Sequence, residues 1–243
     1  MKMNEFMYEA MYEIERTHWW FRARRDIVLE TISPRNKQKI VDFGCGTGIM
    51  LESLYKFGDP TGLDNSITAL DFCRKRVGAR LVRANLQEPL PLEAEYDIGV
   101  ALDVLEHLED DLLALQNMKS VLKHGGELIL TVPAFMSLWS AHDLNCAHKR
   151  RYSRKRLESL IEKAGFEIDY LSYYNYWLFP LIALLRCVFK LLGTNKNSDM
   201  ENKVYGKSID HLLFNIFKSE IFFIRRNIRM PFGVSLIAIL RRR

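Results

Sequence analysis

A short apolar run, Lys39-Ile40-Val41-Asp42-Phe43, leads into Gly44-Cys45-Gly46-Thr47-Gly48, and a second acid, Asp64, follows Asp42 by 22 positions. Glycines let a chain turn tightly and let a ligand approach with no Cβ in the way. A helix starting after such a loop offers unpaired N–H donors at its first turn. A carboxylate at the end of the neighbouring strand can accept both hydroxyl hydrogens of a ribose. Together these features describe a nucleoside pocket. The spacing is G-x-G-x-G and not the G-x-G-x-x-G of nicotinamide enzymes.

Histidines supply the next chemistry, since imidazole titrates near neutral pH. His107 follows Asp103-Val104-Leu105-Glu106 and is a candidate general base; Asp103 and Glu106 also match a D-x-x-E capping box, behind which His107 can simply pack. A second cluster holds Trp139-Ser140-Ala141-His142-Asp143 and His148-Lys149-Arg150-Arg151-Tyr152. His142 beside Asp143 is a second candidate base, and Arg150 and Arg151 are suited to a phosphate or carboxylate. Residues 149–156 also read as the solvated basic start of a helix. His18, Trp19 and Trp20 are candidates to cover the site from the N-terminal side, or to act as a core staple. No metal centre is expected: Cys45, Cys73, Cys146 and Cys187 show neither a disulfide framework nor zinc-ligand spacing.

These residues need a scaffold, and the pattern of the chain describes one. Met7, Ala10, Met11 and Ile14 share a helical stripe, and a second helix is expected from about Phe21 to Ile32, stopped before Pro34. Strands are then expected at residues 39–43, 61–64, 80–83, 96–102, 127–132, 166–174 and 233–240. Between them fall a helix over 49–57 closed by the turn Gly58-Asp59-Pro60, one after a Ser66 cap, and one carrying Leu112, Leu115, Met118 and Leu122 up to Gly125-Gly126. A further helix spans residues 153–164. Strands alternating with helices imply parallel pairing. The last strand follows a long insertion, Trp177 to Pro231, so an antiparallel return is expected. The architecture is a Rossmann-like, doubly wound α/β sheet of seven strands, mostly parallel. Residues 1–36 form a helical N-terminal lid, 37–176 and 231–243 the core, and 177–230 a helical insertion.

The chain has 243 residues, 48% hydrophobic and 27% charged, with a formal net charge of +5. That length favours one embellished domain with a sizeable core. The basic balance permits anionic partners without selecting one. The opening Met1-Lys2-Met3-Asn4-Glu5 lacks the apolar run of a secretory signal, and a cytoplasmic location is expected. Residues 176–193 are the longest apolar stretch, but Arg186 and Lys190 interrupt it and it falls short of the roughly 20 residues of a membrane span.

Several segments in order resemble the class I S-adenosylmethionine-dependent methyltransferases. VDFGCGTG is similar to their first motif and LDNS to their second; RANLQEPLPLE occupies the adenine-side position. YDIGVALDVLEHLEDD and LKHGGELILTVP resemble the fourth- and fifth-strand segments, so the likeness runs from about Ile40 to Pro133 plus the closing strands. The resemblance implies S-adenosylmethionine as cofactor, with S-adenosylhomocysteine as product. It implies that Gly44, Gly46 and Gly48 wall the methionine part, that Asp42 orients its amino group, and that Asp64 holds the ribose. Asn65 then lies beside the adenine, Asn85 and Leu86 border its edge, and Ala101 and Leu102 offer backbone groups at the methionine end. Asn stands at position 85 where the family more often has Asp.

The expected reaction is in-line methyl transfer to an oxygen or nitrogen of a small acceptor. Residues 208–229, mapped as one helix, set Ile209, Leu213, Ile216, Phe217 and Ile224 against a basic face with His211, Lys218, Arg225, Arg226 and Arg229. Such an amphipathic insertion suits a membrane surface, and equally a cover over the cleft, so the acceptor is expected to be lipophilic or lipid- or glycan-linked. Its contact with a membrane through 177–230 would be peripheral, at the inner face. Alternatives are an RNA methyltransferase and a non-catalytic S-adenosylmethionine-binding protein. Against nucleic acid, the fourth-strand motif reads LDVLEHL and not the Asn/Asp-Pro-Pro-aromatic type. Oligomeric state is not legible.

Overall fold

The computed structural model describes residues 5–33, 37–191 and 206–243. Parts of the lid and insertion expected from the sequence (1–4, 34–36, 192–205) lie outside the described residues. Two helices come first, α1 (Glu5–Ile14) and α2 (Trp19–Thr31). The strands are β1 (Gln38–Phe43), β2 (Gly58–Asp64), β3 (Arg80–Arg83), β4 (Tyr96–Leu102), β5 (Leu122–Pro133), β6 (Phe166–Tyr174) and β7 (Ser235–Arg242). Between them run α3 (Ile49–Leu54), α4 (Ile67–Arg76), α5 (Asp111–Val121), α6 (Ala141–Asn145) and α7 (Arg154–Lys163). After β6 come α8 (Phe179–Leu191), α9 (Lys207–Lys218) and α10 (Ile221–Arg225).

The strand order is β3-β2-β1-β4-β5-β7-β6, with β7 antiparallel to both β5 and β6 and the β1–β5 pairs parallel. Sheet periodicity sorts the core into two layers. Along β5, Leu128, Leu130 and Val132 point to the layer that holds Leu115 and Met118 of α5 and Leu157 and Ile161 of α7. Ile129, between them, points to the opposite layer with Val28 and Leu29 of α2 and Met50 and Leu54 of α3. Alternate residues reach opposite faces because the strand repeat is two. The sheet is therefore covered on both sides, as its nearly continuous apolar strands require.

Helix caps are those that the sequence suggests at Ser66, whose Oγ accepts from the Ala69 N–H, and at Ser153, which accepts from Arg156. Four local expectations need correction. The Gly58-Asp59-Pro60 turn is the start of β2; proline is tolerated there because pairing with β3 begins only at Thr61. The helix over 112–122 ends at Val121, and Leu122 already belongs to β5. Asp103 and Glu106 form no capping box. Asp103 takes a left-handed φ of 56° and its carboxylate turns to Arg24 and Thr131. Finally, the helix expected over 208–229 breaks after Lys218. The buried Glu220 carboxylate instead accepts the backbone N–H groups of Asn175 and Tyr176, both at 2.7 Å, and of Trp177 at 3.2 Å. Those donors have no strand partner as β6 ends, and the carboxylate supplies one.

The N-terminal helices and the insertion between β6 and β7 are joined to each other. Asp210 of α9 accepts from the Trp19 N–H at 2.7 Å and from Arg22 at 3.1 Å, capping α2. Phe214 and Phe217 pack with Ala23 and Ile27 of α2. Among the described residues, no helix is long and apolar enough to cross a membrane.

Candidate functional site

The carboxyl ends of β1, β2, β4 and β5 open into one cavity of about 1170 Å³, where open α/β sheets place their ligands. Gly44, Gly46 and Asp42 line it from β1 and its loop, Asp64 and Asn65 from β2, Asn85 and Leu86 from the segment after β3, and Leu102 from β4. His107, His142, Arg151, Trp19 and Trp20 also reach its wall. Of the residues expected at the cofactor or as its cover, Gly48, Ala101 and His18 lie outside it, as does Arg150.

Gly48, Ala101 and His18 each have a structural reason. Gly48 has φ 87°, and a Cβ there would stand 2.5 Å from Cys73 Sγ, so it shapes the loop from behind. Ala101 is buried within β4. His18 is the N-cap of α2, its Nδ1 accepting from the Trp20 N–H at 3.3 Å.

The loop itself is held by Asp64. Its Oδ2 accepts from the Gly46 N–H at 3.0 Å and its Oδ1 from the Ser66 N–H at 2.8 Å. Burial raises the Asp64 pKa, and these backbone donors act against it. Asp42 is fully enclosed, and burial pushes its carboxyl up to about 7, with Arg24 pulling the other way. Asp42 Oδ2 has no hydrogen-bond partner among the described residues. Asn85 is an Asx turn, accepting from the Gln87 N–H and donating to Glu88, so its side chain is turned along the chain.

The site fits S-adenosylmethionine on three observations. A Cβ built on Gly46 would meet nothing within 4 Å, leaving the loop open on its cavity side. Asp42 presents an unpaired carboxylate oxygen where an ammonium group can be received. Asp64 keeps lone pairs for hydroxyl donors beyond the two backbone bonds.

Helix α1 closes the loop from above through a buried clasp. Glu15 pairs with Arg76 of α4 at 2.6 Å and accepts from the Thr47 hydroxyl, while Arg76 also donates to the Tyr12 carbonyl at 2.8 Å. Tyr8, on the same helix, lines the cavity, and its hydroxyl interacts with Ser66 and Asp64. On the next helix, Arg24 pairs with Asp103 and lies 4.4 Å over the Trp20 ring.

The histidine cluster differs from its sequence pattern. Adjacent residues on a helix do not face each other, and Asp143 points away from His142. Its Oδ1 faces His148 Nδ1 at 2.9 Å, and Arg151 holds both oxygens, at 2.7 and 2.9 Å. Against the cost of its burial, the bonds from His148 and Arg151 keep the Asp143 carboxyl well below the usual range. Arg151 also donates to the Ala134 carbonyl, so its guanidinium is engaged inside the fold instead of solvating a helix start. Arg150 is tied to Asp111 at 2.8 Å and to the Leu108 and Glu109 carbonyls. His107 is held neutral, its pKa lowered to about 4 by burial and by His148; a ring N–H serves the Cys146 and Ala147 carbonyls. Glu106 is completely buried, and burial beside Asp103 pushes its carboxyl well up.

His148, Glu106, Arg24 and Glu15 are site-wall residues that sequence reasoning does not select. An alternating pattern marks strands and glycines mark a loop, but no spacing rule couples His148 to a residue 41 positions earlier.

A parallel sheet with an antiparallel β7, a glycine loop and an acid on the next strand define the class I S-adenosylmethionine-dependent methyltransferase fold. A methyltransferase domain family matches residues 16–171, and the chain belongs to it. An S-adenosylmethionine-dependent methyltransferase from Mycobacterium tuberculosis is 29% identical over 160 residues, covering 63% of this chain and 58% of the relative. A ubiquinone biosynthesis O-methyltransferase from Vibrio vulnificus is 30% identical over 126 residues, covering 49% and 54%. The chain thus spans somewhat over half the length of these relatives. Among solved structures, an S-adenosylmethionine-dependent methyltransferase from Thermotoga maritima superposes with a TM-score of 0.61 at 17% identity, covering 98% and 95% of the two chains. Haemonchus contortus phosphoethanolamine N-methyltransferase 2, bound to S-adenosyl-L-methionine, gives 0.58 at 16%, covering 90% and 52%.

Proposed function

We propose that this chain transfers the methyl group of S-adenosylmethionine in line to an oxygen or nitrogen of a small acceptor that carries an apolar, lipid- or glycan-linked portion. The carbon–sulfur bond breaks as the carbon–oxygen or carbon–nitrogen bond forms. The acceptor's proton leaves, and S-adenosylhomocysteine remains. The observation that carries this reading is the continuity of the cavity from the glycine loop to an apolar wall. Leu178, Leu181, Ile182 and Leu185 of the α8 segment and Ile209 and Leu213 of α9 line that wall. At about 1170 Å³ the space exceeds the roughly 1,000 Å³ upper range of ordinary ligand pockets, enough for a cofactor and an acceptor together. The likeness to a ubiquinone biosynthesis O-methyltransferase supports an oxygen acceptor.

The sulfonium supplies an activated methyl, so the protein's work is alignment and exclusion of water. Positioning of this kind supplies roughly 7–11 kcal/mol of a barrier, and a general base a further factor of about 10²–10⁴. His107 and His142 stand as the bases. His107 is neutral, with one nitrogen turned to backbone carbonyls and the other left to accept a proton. Trp19, Trp20 and Arg151 stand as the acceptor's walls, with His18 holding the two tryptophans by capping α2.

Asp42 makes cofactor binding pH-dependent in this reading. Its carboxyl titrates at about 7 in the ligand-free protein, against an ordinary 3.8, and only the ionised form attracts an ammonium. S-adenosylhomocysteine affinity is expected to rise about tenfold per pH unit up to 7 and then level off, with a proton released on binding at pH 6. Calorimetry in two buffers of different ionisation enthalpy reads that proton. The ligand-free fold has the opposite dependence on this group, losing stability as pH rises from 3.8 towards 7.

On the outer side of the α8 segment, Trp177, Leu184 and Val188 are 40–61% exposed, next to Leu181 of the cavity wall. This stripe adjoins the cavity wall at Leu181 and stands as the peripheral membrane contact through which a lipophilic acceptor enters. Turnover of S-adenosylmethionine with total lipid extract, and not with total RNA, is the expected result; the reverse would replace the acceptor class. Leu184→Glu with Val188→Glu is expected to lower co-sedimentation with anionic vesicles at least about tenfold, since each buried leucine or valine contributes about 1.5–3 kcal/mol. Equal binding by this variant would exclude the stripe.

A further inference from the structure

Glu106 is the least explained residue of the cavity wall. Its side chain is fully buried, and neither carboxylate oxygen has a hydrogen-bond partner among the described residues. A carboxyl group buried this way either stays protonated or, as the anion, is paired or bound to a metal ion. Two histidines face it. Glu106 Oε1 lies 4.0 Å from His148 Nε2, and one ligand atom from each of Glu106, His107 and His148 falls within 4.8 Å of the others. Ligand atoms around one first-row ion held at about 2.0–2.2 Å sit about 3–4 Å apart, so a modest closure brings the three into range.

The surroundings of the two imidazoles are those of metal ligands. His148 gives its Nδ1 to Asp143, leaving Nε2 towards Glu106; the carboxylate–histidine arrangement fixes ring and tautomer. Asp143 is itself fixed by Arg151 and by the Ser140 N–H. His107 turns one ring nitrogen to the Cys146 and Ala147 carbonyls, and its ring lies 4.7 Å from that of His148. From the unpaired carboxylate and the two pre-oriented rings, we propose that Glu106, His107 and His148 bind one divalent first-row transition-metal ion. Two nitrogens and one oxygen leave further coordination positions open. All three ligands line the cavity that the glycine loop also lines, so an oxygen or nitrogen of a small molecule can take an open position. The site stands whatever the acceptor proves to be; with the ion bound, the remaining nitrogen of His107 is a ligand and the role of base falls to His142.

The test uses the full chain, stripped with a chelator and titrated with Co²⁺, then competed with Zn²⁺ and Mn²⁺. One equivalent of Co²⁺ is expected, with visible absorption that Glu106→Gln and His148→Gln each abolish and that the surface control His124→Ala retains. Asp143→Asn is expected to weaken binding about 10–100-fold by freeing the His148 ring. In the unmutated protein, Co²⁺ should perturb the ring resonances of His107 and His148 selectively, which keeps the test open if a variant misfolds. Absence of one-equivalent binding by the unmutated chain, or binding unchanged in both ligand variants, would overturn the site. S-adenosylhomocysteine affinity, measured alongside, separates that failure from any failure of the cofactor pocket.

Discussion

Asp64→Ala is expected to weaken S-adenosylhomocysteine binding by about 100-fold or more. Two contributions add. A carboxylate accepting two ribose hydroxyls makes charge-assisted hydrogen bonds worth about 1.5–3 kcal/mol each, and about 1.4 kcal/mol is a factor of ten in affinity. The same oxygens also accept the Gly46 and Ser66 N–H groups, so the glycine loop loses its tie to β2 as well. Asp64→Asn keeps size and one acceptor oxygen, and its loss should be smaller. Calorimetry on both variants, with thermal denaturation as a check on folding, measures the difference. An Asp64→Ala protein that folds and binds within about threefold of the unmutated chain would remove Asp64 from the pocket.

The largest effect on stability is expected at Glu15. This side chain and Arg76 are both almost completely buried, 4% and 1% exposed, and Thr47 is fully buried beside them. Removing one partner of a buried pair leaves an uncompensated charge, at a cost of about 3–5 kcal/mol. Glu15→Ala should therefore unfold at markedly lower urea concentration, while Arg76 keeps its bond to the Tyr12 carbonyl and its place over the Tyr12 ring. Because the clasp joins α1 to the glycine loop, the variant should also lose cofactor affinity. A double cycle with Arg76→Met separates pair from packing: if the pair matters, the second substitution restores part of what the first removes. A loss under about 1 kcal/mol for Glu15→Ala would mean that α1 does not close the loop.

How much of this was legible in the sequence follows from the kind of signal each feature leaves. The strands are short apolar runs between turn residues, and the helices carry 3.6-residue stripes, so the seven-stranded sheet and the antiparallel return of β7 can be read directly. The loop and Asp64 are legible because their chemistry is local: glycines where a ligand must come close, and an acid on the next strand. The boundaries differ from the sequence pattern where a tertiary partner decides them. Gly58 and Pro60 look like a turn, yet pairing with β1 starts at Gly58. Residues 208–229 have the pattern of one helix, yet the demand of three backbone donors for Glu220 breaks it. Asp103 and Glu106 match a cap, yet Arg24, brought from a helix 79 positions earlier, takes Asp103.

The histidines show the same limit more sharply. His142 neighbours Asp143 along the chain, but adjacent helical residues diverge by about 100°, and the acid serves His148 and Arg151. Composition could mark the cluster as reactive; only the fold decides which imidazole is oriented by which carboxylate. Glu106 carries only the pattern of a cap that does not form, since nothing in its neighbours predicts complete burial without a donor.

The most direct measurement is a crystal structure of the chain grown with S-adenosylhomocysteine. The adenosyl group is predicted between Asp64 and Leu86, with the ribose hydroxyls on the Asp64 carboxylate and the amino group against Asp42. A nucleoside found away from the Gly44–Gly48 bend, or a bend that stays closed to it at saturating concentration, would contradict the assignment.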